Sequence, residues 1–174
     1  MDIQPQASPE MTRLGELIGE SRIGMLTTVE PDGTLRSRPL ATLQMDSEGR
    51  LWFFTSISSP KVAEIDQHRF VNVSYANPAR NDYVSISGTT QILRDRPRME
   101  ELWTPWVKPW FPNGLEDQDL ALLCVTIQAA EYWDSPGGTV RQFISLAKAT
   151  QGDTEALGDH AKVDPTRGRP RPHA

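Results

Sequence analysis

The chain has 174 residues, 37% of them hydrophobic, enough to bury one ordinary core and too few for two unless both are minimal. Its 23 acidic and 18 basic residues are mixed along the sequence, so a net charge of -5 brings no basic stripe for nucleic acid or an anionic membrane. The only cysteine, Cys124, excludes an intrachain disulfide and a cysteine-based zinc site.

Ser8-Pro9 offers an N-cap with proline at the first helical position, and Met11, Leu14, Leu17 and Ile18 then share one face, which predicts a short amphipathic helix. Residues 23–29 are apolar and β-branched and stop at Glu30-Pro31-Asp32-Gly33, a hairpin turn signal. Strands over 35–44 and 50–55 complete an antiparallel meander, the third carrying Trp52, Phe53 and Phe54. Ser58-Ser59-Pro60-Lys61 opens a helix that packs Val62 and Ile65 and reaches about His68. Strands follow over 70–76, 83–93 and 120–133, the last enclosing Cys124 as a small hydrophobe.

Between the last two strands, residues 97–119 hold a short helix and then Trp103, Trp106, Trp110 and Phe111 interleaved with prolines. A final helix is predicted over 139–149. Residues 1–150 thus read as a single mainly β domain with flanking helices, whose many short strands suggest a closed barrel. Residues 151–174 are polar, with too little apolar surface to offset the entropy of ordering, so a flexible tail is expected. The first ten residues have no basic or apolar segment, and no run approaches the roughly 20 apolar residues of a membrane span, so the cytoplasm is the expected compartment.

Lys61 falls in the first turn of the helix after Thr55-Ser56-Ile57-Ser58-Ser59, where free backbone N–H groups, hydroxyls and one ammonium converge. Such a junction suits a phosphate. It equally suits an ordinary Ser-Pro helix cap with a solvated lysine. Arg36 and Arg38 alternate with Ser37, so both guanidinium groups take one face of their strand, either to approach the same anion or to coat a solvent face. The rings of Trp103, Trp106, Trp110, Phe111 and Trp133 suit either the walls of a planar ligand site or an interface and barrel cover. His68, His160 and His173 lack metal-ligand spacing, no serine or cysteine has an evident histidine partner, and Gly137-Gly138 reads as a turn.

The combination of Ile23-Gly24-Met25-Leu26-Thr27-Thr28, the strand of Arg38, Leu51-Trp52-Phe53-Phe54-Thr55 with Ser59-Pro60-Lys61, and Glu131-Tyr132-Trp133-Asp134 resembles the FMN-binding split β-barrels of the pyridoxamine 5'-phosphate oxidase-like family. The segment from Trp103 to Phe111 resembles its general stress protein branch in particular. The resemblance spans about residues 11–146. It implies a split barrel of about six antiparallel strands, a homodimer, and FMN in a cleft between the subunits. It assigns the flavin phosphate to Arg38, Thr55, Ser59 and Lys61, with Ser56 beside them, and implies that Tyr83 and Trp133 reach the ring from the partner chain, with Trp110 as a further ring contact. Pro60 stands where the oxidase proper has arginine, and Leu43 near where it has lysine. The arginine-leucine-histidine-aspartate-arginine type segment that grips pyridoxamine phosphate has no counterpart after Trp133, which argues against vitamin B6 oxidation. The expected function is a flavin-dependent redox protein. The alternatives are a flavin-holding stress protein without turnover, or a split barrel that binds haem or a deazaflavin.

Overall fold

Ser8 starts the first helix as its position predicts: its hydroxyl accepts from Met11 N, and Pro9 opens the helix. The computed structural model describes residues 1–133 and the backbone of residues 141–145. Within them β1 (Asp2–Ile3) precedes α1 (Pro9–Ser21), and the meander follows as β2 (Ile23–Val29), β3 (Leu35–Met45) and β4 (Arg50–Ser56). Then come α2 (Pro60–Gln67), β5 (Phe70–Asn77), β6 (Asp82–Leu93), α3 (Arg96–Leu102), two short 3-10 turns, β7 (Leu120–Trp133) and β8 (Arg141–Ser145).

The sheet runs β1-β3-β2-β5-β6-β7-β4 and closes because β3 also pairs with β4. Closure depends on the length of β3. Its first part pairs with β2, from Val29↔Leu35 to Ile23↔Ala41, and from Thr42 onward it takes β4 as partner, with a register shift between Thr42 and Gln44. Such an irregularity lets one strand turn a barrel corner without leaving the ladder. Six antiparallel strands, β2 to β7, thus form a closed barrel, as the resemblance implied. The two-residue β1 runs parallel to the end of β3 and was not legible in the sequence.

Two apolar clusters hold the barrel. Alternate residues of β4 serve both: Leu51 and Phe53 enter the interior with Leu26, Val73, Ile86 and Val125, which α1 closes with Leu14 and Ile18. Trp52 and Phe54 turn outward onto Leu43, Leu122 and Cys124, beneath Met99 and Leu102 of α3. A strand buried on both faces reads as a continuous apolar run, which is what residues 51–54 present. Burying each such side chain contributes about 1.5–3 kcal/mol.

The helix predicted over 139–149 is overturned at its centre. Arg141–Ser145 is a strand, antiparallel to β7 through Ala129↔Ser145, Ala130↔Ile144 and Tyr132↔Arg141. Beyond Thr126 the β4 side of β7 has no β4 partner, so its backbone groups present an edge, and satisfying that edge outweighs local helical propensity. The remaining residues of that predicted helix, the turn at Gly137-Gly138 and the tail 151–174 lie outside the described residues. Among the described residues, no helix is long and apolar enough to cross a membrane.

Candidate functional site

The site forms where β4 hands over to α2. Ile57 N bonds to Asp119 O at 2.8 Å, Ser58 N to Asp119 Oδ1 at 2.8 Å, and Ser58 Oγ to Asp119 Oδ2 at 2.6 Å, so the loop is tied to the residue before β7. Ser59 sits at the N-cap of α2, but its hydroxyl does not cap the helix. It accepts instead from Lys61 Nζ at 2.9 Å. The ordinary capping role is therefore not what Ser59 performs, and the first turn of α2 keeps its positive dipole without a side-chain acceptor.

A cavity of about 330 Å³ opens beside this junction, within the range of small-molecule sites, about 300–1,000 Å³. Thr55, Ser56 and Lys61 line one side, and Leu40, Leu43, Phe54, Val107 and Phe111 form an apolar wall, with Trp110 at the margin. Thr55 is 2% exposed, and its Oγ1 is buried with no hydrogen-bond partner among the described residues. An orphaned buried hydroxyl costs about 1–3 kcal/mol, and on the wall of a cavity it is placed where an oxygen that enters the cavity can satisfy it. Burial pushes the Lys61 ammonium below its ordinary value, Arg38 adds to that, and Glu64 and Asp119 partly oppose it. Lys61 is thus held half-desolvated, where pairing with an anion gains most.

Arg38 is near Lys61 but does not line the cavity. Its Nη2 donates to Glu64 Oε2 at 2.8 Å, its Nη1 donates to Thr28 Oγ1 at 2.7 Å, and the Thr28 hydroxyl donates to the same carboxylate. Burial opposes ionisation of Glu64, but the bonds from Thr28 and Arg38 outweigh it and hold the carboxyl below the ordinary value. Arg36 points from the same face to Glu30 at 3.0 Å, an exposed pair. The arginines therefore separate, one partly buried behind the junction and one in solvent.

The rings also divide. Trp103 and Phe111 pack on Phe54, with centroids 5.6 and 5.9 Å apart, and cover the second core. Trp106 and Trp110 pair at 5.2 Å and stay exposed at 43% and 59%. Tyr83 and Trp133 are elsewhere: with Ile23 and Met25 they line a hollow of about 460 Å³ on the outer sheet face. Ile23 lines both concavities, so the hollow and the cavity are neighbours.

Of the residues expected from sequence, Thr55, Ser56, Lys61 and Trp110 meet at the cavity, Ser59 and Arg38 stand behind it, and Tyr83 and Trp133 form a separate group. Sequence reasoning missed Glu64 and Asp119. Glu64, three residues after Lys61 and hence on its side of the helix, was the available signal. Among the described residues, no group of three or more histidine, cysteine, aspartate or glutamate side chains could hold a metal.

The sequence model of the family described as pyridoxamine 5'-phosphate oxidase like matches residues 9–156. The chain belongs to this family. Its solved relatives include a Clostridium acetobutylicum protein related to general stress protein 26, at TM-score 0.70 and 22% identity over 79% of this chain and 95% of that one. General stress protein 26 of Bacillus anthracis aligns at TM-score 0.67 and 22% identity, covering 80% of this chain and all (100%) of that one. At these identities the match speaks for the split-barrel fold alone. The general stress FMN/FAD binding protein of Xanthomonas citri matches at 27% identity and TM-score 0.63, over 80% of this chain and 99% of that one. Protein bli-3 of Neurospora crassa is 26% identical over 158 residues, 85% of this chain and 76% of that protein. The pyridoxamine 5'-phosphate oxidase-like family and its split barrel, expected from the motifs, are thereby borne out.

Proposed function

We propose that this member of the family binds FMN and serves as a flavin-dependent redox protein of the general stress type. The observation that carries this reading is the buried, unpartnered Thr55 Oγ1 on a cavity wall shared with the half-desolvated Lys61. Lys61, Thr55, Ser56 and Ser59 would hold the phosphate, and Leu40, Leu43, Val107, Phe111 and Trp110 supply an apolar surface for the ring. The general stress FMN/FAD binding protein among the relatives supports a flavin as the ligand. When bound, the flavin supplies the electron chemistry, and the chain supplies binding, orientation and shielding from water.

Of the twelve described residues that line the cavity, Lys61 alone carries a charge. Committed to the cofactor phosphate, it leaves no second cation among those described residues for a phosphorylated substrate.

The same reading includes a homodimer. Ile23, Met25 and Tyr83 expose 39–41% of their surface, and between them lie Ser74 and Ser85, cross-strand neighbours on one sheet face. This exposed apolar and small polar patch, bordered by Glu131 opposite Ser85, supports a second copy as its occupant. A second copy seated there meets the cavity margin at Ile23, which would bring Tyr83 and Trp133 of one chain toward Lys61 of the other.

A visible spectrum of the purified protein, followed by FMN addition, tests the proposal. Flavin absorption that co-elutes with the protein supports it, and a haem or deazaflavin spectrum overturns it. Rapid bleaching by NADH or NADPH would separate a turning-over protein from a flavin holder.

A further inference from the structure

We propose that Glu64 is the specificity-determining counter-ion of the phosphate subsite: by holding Arg38 through its carboxylate, it limits how strongly the junction of β4 and α2 takes a phosphate monoester. The inference rests on the phosphate reading above. Its basis is the closed set of bonds among Arg38, Thr28 and Glu64, in which the arginine and glutamate side chains are only 19% and 5% exposed.

A phosphate in the cavity meets Lys61 directly, while Arg38 stands behind it, near enough to act on the Lys61 ammonium and held there by Glu64. Two carboxylates act on the same ammonium electrostatically, Glu64 one turn further along α2 and Asp119 just before β7. The cations are therefore matched before any ligand arrives, and the net attraction is set by what Glu64 withholds. Its carboxylate performs toward Arg38 the role that a phosphate oxygen performs toward a guanidinium, with short charge-assisted bonds. Asp119 differs, because its oxygens are taken up by Ser58 N and Ser58 Oγ, which hold the loop.

Linkage fixes the sign. Glu64→Gln keeps an amide oxygen for Thr28 and Arg38 but removes the charge, leaving a largely buried guanidinium short of an anion in the free protein. A bound phosphate restores that anion, so the free state loses stability and the bound state recovers part of it. Affinity for the phosphate ligand must then rise. A role confined to packing or to pointing Arg38 toward ligand would give no gain or a loss.

The test titrates wild type, Glu64→Gln and Glu64→Asp with FMN and with riboflavin, with melting temperatures measured with and without each ligand. Glu64→Gln is expected to tighten FMN on the order of tenfold while riboflavin is unchanged, as removal of a like charge near an anion requires. Its FMN-induced rise in melting temperature exceeds that of wild type. Glu64→Asp, which keeps the charge but shortens its reach, moves FMN affinity in the same direction by less and carries the test if the amide fails to fold. A wild type that prefers FMN, together with a folded variant whose FMN affinity is unchanged or weaker, overturns the counter-ion role alone. A wild type that binds FMN and riboflavin alike overturns the phosphate reading, and this proposal with it.

Discussion

Tyr83 lies directly opposite Trp133 in the β6–β7 ladder, and both line the outer hollow with Met25, away from the polar side of the cavity where Lys61 sits. In the proposed shared cleft, both rings serve the flavin held by another copy of the chain. Mixing Lys61→Ala with Trp133→Ala subunits then gives heterodimers in which one cleft has all its native groups and the other carries both defects. Flavin fluorescence titration of the exchanged mixture is expected to reveal a class of sites with native affinity that neither parent shows. A mixture that titrates as the average of its parents, with exchange verified, removes the shared cleft.

Asp46 anchors the corner between β3 and β4 and is 4% exposed. Its carboxylate accepts from Trp52 Nε1 at 2.8 Å, Arg50 Nε at 2.7 Å, Arg50 N at 2.9 Å and Glu48 N at 3.0 Å. Burial opposes the charge, but these bonds outweigh it and hold the carboxyl below its ordinary 3.8. A depressed folded value means stability that is fully present above pH 3.8 and lost as pH falls through the folded value. Asp46→Asn is expected to cost about 2–3 kcal/mol at neutral pH, with the Arg50 share trimmed by that side chain's partial exposure. Urea unfolding of both proteins along an acid series checks this, and the two stabilities should converge at low pH.

Cys124 packs against Trp52 and Phe54 at 4% exposure, and burial pushes its thiol up to about 11. Little thiolate exists at pH 8, and the sulfur is shielded. A disulfide reagent at that pH should leave the native protein unlabelled while it modifies the urea-unfolded chain fully. Fast labelling of the native state would show that the second core opens.

Barrel strands and helix starts were legible because they rest on local chemistry: the apolar, β-branched segment of β2 and the turn signal after it, the apolar run of β4, and a serine-proline pair at each of the first two helices. What failed depends on distant partners. The strand at Arg141–Ser145 answers to the edge of β7, which no local window contains. Arg38 and Lys61 were both visible as candidates, yet the meeting of β3 with β4 over residues 42–45, past Arg38, and the capture of its guanidinium by Glu64 come from barrel closure. Glu64 shows in sequence only its spacing from Lys61, and nothing there says that its carboxylate is buried. Thr55 was named from the resemblance, but its missing partner is a property of the folded wall.

The most direct measurement is a calorimetric titration of FMN and riboflavin into wild type and into Lys61→Ala. If the phosphate is held at Lys61 beside the orphaned Thr55 hydroxyl, wild type binds FMN roughly 10- to 100-fold more tightly than riboflavin, the worth of one or two charge-assisted hydrogen bonds of about 1.5 kcal/mol each. Lys61→Ala should lose most of that preference and leave riboflavin affinity unchanged. Equal binding of the two ligands by wild type, or a preference that survives Lys61→Ala intact, would contradict a flavin phosphate site at the start of α2.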